Sequence, residues 1–90
     1  MKLYRFKNGK CNAVGTQIKL LREHSGLSQE QLAAQLQLLG LNLNQKAVSR
    51  IETGDRVVPD YELLAFAQLF QTNITSLFPL SVTRSFSLSS

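Results

Sequence analysis

The sequence predicts an all-α fold, a compact bundle of five helices. Three observations lead there. Apolar residues recur at helical spacing over 14–21, 32–39, 47–51 and 63–70. Short polar residues suited to capping stand ahead of helical runs at Ser28, Asn44, Asp60 and Asn73. Helix-stopping residues follow the runs at Gly26, Gly40, Gly54 and Pro79.

The first helix is expected over 14–24, beginning at Val14 or Gly15. Val14, Ile18 and Leu21 lie at i, i+4 and i+7 and form its core face, with Leu20 offset. Ser25-Gly26 ends it, and a protonated His24 in the last turn would favour the helix dipole. The second helix opens on Ser28-Gln-Glu-Gln31, a capping box. Leu32, Leu36 and Leu39 form its core face, and Gly40 closes it.

Asn44 caps the third helix, where Val48 and Ile51 with Ala47 make a narrow apolar stripe. Gln45, Lys46, Ser49 and Arg50 fall on the faces that the stripe leaves free. A helix this short is unstable alone, so its shape depends on what packs behind it. The fourth helix follows Pro59, with Asp60 as its cap and Leu63, Phe66, Ala67 and Phe70 as a full apolar stripe. Leu64 and Leu69 widen that stripe, as a deep core or a partner surface would require. Asn73 caps a fifth helix over 74–78, which Pro79 terminates.

A helix, a Gly-bearing turn and a short polar helix form the helix-turn-helix signature. Gln can bond adenine bidentately, Arg and Lys can bond guanine, and Ser can bond either. The third helix is therefore expected to read bases through Gln45, Lys46, Ser49 and Arg50; the competing reading of that helix by itself is an ordinary solvated face. Charge points the same way. Residues 1–56 hold nine Lys and Arg against Glu23, Glu30, Glu52 and Asp55, whereas residues 57–90 hold Arg84 against Asp60 and Glu62. The basic excess lies with the half expected to meet phosphates.

Other functional classes find little support. Cys11 has no partner for an internal disulfide, and His24 stands without ligands at metal spacing. No Gly-rich phosphate loop or nucleophile elbow is present. No catalysis, metal or cofactor is expected. No apolar run approaches the roughly 18 residues of a membrane span, and no apolar signal segment follows the basic start, so a cytoplasmic protein is expected.

Two segments flank the helices. Residues 1–13 form a basic arm, with Lys2, Arg5, Lys7 and Lys10 interleaved with Leu3, Tyr4 and Phe6. It suits a phosphate backbone or a minor groove, or is a short strand or a disordered tail. In residues 79–90, Leu80, Val82, Phe86 and Leu88 alternate with Ser and Thr, broken at Arg84. That is the pattern of a half-buried strand needing a partner; a Ser-rich disordered terminus is the alternative.

Several pieces together resemble the lambda-repressor/Cro-type (XRE-type) helix-turn-helix family. They are Ile18-x-x-Leu21-Arg22, Gly26-Leu-Ser-Gln-Glu-Gln-Leu-Ala33, Val48-Ser-Arg-Ile-Glu52-x-Gly54, Phe66-Ala67 and Asn73-Ile-x-x-Leu-Phe78. The resemblance covers residues 14–78 and implies a five-helix bundle that binds a palindromic operator as a homodimer. It places Gln29 at a phosphate, and Ser28, Asn44 and Arg56 complete the expected phosphate set. It also pairs Arg22 with Glu52, tying the first helix to the end of the third. Between Leu32 and Val48 this chain exceeds the usual pattern by about one helical turn and a residue or two. A longer second helix and a wider turn are expected, with Leu41 and Leu43 plugging the core. The function expected is sequence-specific double-stranded DNA binding by a transcriptional repressor. The rival is an antitoxin-type protein-interaction module that binds a protein partner through 80–88.

Overall fold

The computed structural model describes residues 9–79, which contain four α-helices and a 3-10 turn. These are α1 (Gly15–His24), α2 (Gln29–Leu38), α3 (Gln45–Thr53), α4 (Asp60–Leu69) and the turn Ile74–Leu77. The expected fifth helix is thus one turn of 3-10 helix. Asn73 caps it by accepting the Ser76 N–H at 3.0 Å. Phe78 is already extended, as the residue before a proline prefers to be. Four residues between cap and exit leave no room for an α-helix with several 13-atom rings. The expected strand at 80–88 lies outside the described residues.

Each helix boundary has a local cause. In α2, the Gln31 N–H donates to Ser28 Oγ at 3.0 Å, and Gln31 Oε1 accepts the Ser28 N–H at 2.8 Å, completing the capping box. In α3, the Ala47 N–H donates to Asn44 Oδ1 at 2.8 Å, and Gly54 ends the helix at φ +86°. α4 departs from expectation: Pro59 occupies the cap position and Asp60 is the first helical residue. Proline suits this junction because it has no N–H to leave unpaired and its φ is preset. Asp60 Oδ1 instead accepts the N–H of its neighbour Tyr61 at 2.7 Å.

Ile18 from α1, Leu32 and Leu36 from α2, Val48 and Ile51 from α3, and Phe66 from α4 are fully buried. Leu77 closes the same core from the 3-10 turn. The Phe66 and Phe70 rings stack at 6.3 Å between centroids. Leu39, expected on the α2 core face, is 43% exposed. α2 stops at Leu38, Gly40 turns the chain at φ +92°, and the Leu41 N–H returns to the Leu36 carbonyl at 3.0 Å. Leu43 is buried in its stead, and Leu41 packs against the core. The extra residues therefore lie in the connection between helices, while α2 matches α1 and α4 at ten residues. α3 packs on both α1 and α2, which hold it with its polar face outward.

Candidate nucleic-acid interface

α3 is amphipathic in a way that leaves a polar face unclaimed. Gln45, Lys46 and Arg50 are exposed and Ser49 is half-buried, while Val48 and Ile51 turn inward. Lys46 and Ser49 make no side-chain hydrogen bond or ion pair among the described residues. Arg50 makes one long bond, from Nη2 to the Asp55 carbonyl at 3.4 Å.

Behind this face runs a polar chain that begins in the core. Arg22 Nε donates to Glu52 Oε2 at 2.6 Å and Nη2 to Oε1 at 3.2 Å, a two-pronged pair joining α1 to α3. Both residues are buried, and Arg22 Nη1 also donates to the Leu27 carbonyl at 2.8 Å. Hydrogen bonding to Glu52 raises the Arg22 pKa above its ordinary value; burial works against this, and the Glu52 and Glu23 charges add to it. Gln29 Nε2 donates to Glu52 Oε1 at 2.9 Å, and Gln29 Oε1 accepts from Gln45 Nε2 at 2.7 Å. A buried carboxylate thus fixes the amide of Gln29, and Gln29 fixes that of Gln45. The link restricts the rotamers of Gln45 while leaving its Oε1 and second N–H outside this chain, a donor and acceptor pair suited to a base edge.

The expected phosphate residues are placed less uniformly. Ser28 and Asn44 both spend their side-chain oxygens as helix caps. They retain the Ser28 O–H and the Asn44 N–H groups as donors toward solvent. Arg56 is otherwise engaged: its Nη1 and Nη2 donate to Glu62 Oε1 and Oε2 at 2.6 and 3.0 Å. Glu62 is buried and needs a cation, so the guanidinium is held against α4 rather than offered as a free charge. That bonding raises the Arg56 pKa, with burial opposing. The link from Gln29 to Gln45 and the claim of Glu62 on Arg56 were not apparent from sequence spacing.

Residues 10–12, read from sequence as part of an arm, are bonded to the end of α3. Lys10 Nζ donates to the Thr53 carbonyl at 2.8 Å, and the Cys11 N–H to the Gly54 carbonyl at 2.7 Å. Asn12 Nδ2 donates to the carbonyls of Ile51 and Arg56. The sequence reading of 1–13 as a basic arm did not anticipate these bonds, which reach about 40 residues along the chain.

These features define a class, a helix-turn-helix with a rigidly supported polar second helix. A family model described as a helix-turn-helix domain matches residues 13–75, and the chain belongs to that family. The crystal structure of the DNA-binding domain of BldD shares the fold. It superposes with a TM-score of 0.66 at 21% identity, covering 82% of this chain and 100% of that one. No curated protein matches the chain significantly. No helix among the described residues is long and apolar enough to cross a membrane.

Proposed function

We propose that this chain binds double-stranded DNA sequence-specifically and regulates transcription, acting as a repressor on a palindromic operator as a homodimer. The observation that carries this reading is the bonded path from Arg22 and Glu52 through Gln29 to Gln45. It aims one amide outward from a helix whose neighbouring Lys46 and Ser49 side chains are unpartnered among the described residues. Such preorganisation is what a base-reading side chain requires, since rotamer freedom lost on binding weakens affinity. Membership of the helix-turn-helix family, and likeness in fold to a domain described as DNA-binding, support the same reading.

In this mechanism α3 enters the major groove and Gln45, Lys46, Ser49 and Arg50 meet base edges. Ser28, Gln29 and Asn44 stand at the openings of α2 and α3, where helix N-termini favour phosphate. Arg56 would have to leave Glu62, which offsets its charge, before it could meet a phosphate directly. Two copies would present their α3 helices about 34 Å apart, one DNA turn.

Selection from a randomised duplex pool tests the proposal, with wild type and Gln45→Ala/Lys46→Ala in parallel at two salt concentrations. Wild type is expected to enrich a two-fold symmetric sequence, and the double variant to lose that preference while retaining salt-sensitive binding. Equal enrichment of all sequences by wild type would refute sequence-specific reading.

A further inference from the structure

We infer that Asn12, outside the helix-turn-helix itself, is a positioning residue for base reading. The inference rests on the DNA-binding reading above. The side chain of Asn12 uses its full hydrogen-bonding capacity. Its Oδ1 accepts the N–H groups of Val14 at 3.1 Å and Gly15 at 2.8 Å, capping the start of α1. Its Nδ2 donates to the carbonyls of Ile51 at 3.1 Å and Arg56 at 2.8 Å, one within the last turn of α3 and one just beyond it. One planar amide therefore locks the first turn of α1 to the last turn of α3.

Neighbouring residues complete the lock. Lys10 and Cys11 bond the Thr53 and Gly54 carbonyls, so three consecutive residues satisfy the end of α3. The positive charge of Lys10 also sits where the helix dipole is negative. The fit is close: a Cβ at Gly15 would lie 2.3 Å from the Ile51 carbonyl oxygen, and one at Gly54 would lie 2.6 Å from Lys10 Cδ. α3 is thus fixed at its N-terminal end through Gln29 and at its C-terminal end through Asn12. Releasing the second point lets the helix roll or slide, which misaligns side chains that must meet a base edge within hydrogen-bond tolerance.

The test is Asn12→Asp, which keeps the acceptor for α1 but removes both donors to α3. Asn12→Ser, a smaller change without an added charge, serves in its place if the Asp variant is not helical. Two readouts are needed: the affinity ratio of the selected duplex to a scrambled one, and amide exchange in the free protein. The ratio is expected to fall about tenfold, the size of one lost base contact, with scrambled-duplex affinity held within about twofold. Exchange at Gly54 and Asp55 is expected to accelerate while Phe70, whose N–H closes the end of α4 on the Phe66 carbonyl, stays protected, a local effect that general destabilisation would not give. A folded variant that retains the wild-type ratio overturns this proposal alone. A wild type without any sequence preference overturns the DNA reading and this proposal together.

Discussion

Glu52 does two tasks through two oxygens. It neutralises buried Arg22 and it anchors Gln29, so under the proposed function its removal is expected to affect both stability and base reading. Glu52→Ala is expected to destabilise by about 3–5 kcal/mol, because it leaves a buried guanidinium without its counter-charge. Arg22→Met/Glu52→Leu should lose less than the single variant, as measured by denaturant unfolding. The arginine makes no pH dependence near neutrality. Its raised pKa means its share of stability is fully present below the ordinary arginine range and is lost only as pH climbs through the raised value. Gly15 makes a separate steric demand. Gly15→Ala drives a methyl into the Ile51 and Glu52 carbonyls and should lower stability by about 1–3 kcal/mol in thermal or chemical unfolding. The Arg22–Glu52 pair could be anticipated from family resemblance, but the claim of Glu62 on Arg56 could not. An arginine next to a reading helix looks like a phosphate ligand until a buried carboxylate is seen to need it.

At the scale of elements, α2 separates what local chemistry encodes from what only packing decides. Its start was legible because Ser28 and Gln31 exchange bonds within one turn. Its end near Gly40 was legible too. Leu41 and Leu43 do enter the core as expected, but Leu39 does not, since periodicity assigns it to the core face while the turn at Gly40 hands that place to Leu43. Leu38 and Leu39 then remain exposed beside Leu69, with Gln35 and Gln68 around a shallow hollow. The energetic contrast is testable within one helix. Leu36→Ala is expected to cost about 2–5 kcal/mol, as a fully buried leucine should. Leu38→Ser, at 86% exposure, should change stability by no more than about 0.5 kcal/mol. The fifth helix shows the same limit from the other side. Asn73 and Pro79 marked both its ends correctly, but their separation admits only a 3-10 turn.

For the molecule as a whole, the helical signature, its order and its basic character were all present in the sequence. What the sequence lacked was the third dimension of the support: Asn12 and Gln29 act on α3 from positions 33 residues before Gln45 and 16 before it. Such long-range bonds leave no periodic trace. Under the proposed function, the outward face of α3, steadied by these residues, is the surface that meets DNA. Amide chemical-shift mapping of labelled protein titrated with a mixed-sequence duplex at low salt tests it most directly. The expected result is that the largest shifts fall at Gln29 and across residues 44–50, with Leu38, Leu64 and Ile74 unmoved. Shifts centred on those three apolar positions, or no shifts at low salt, would contradict it.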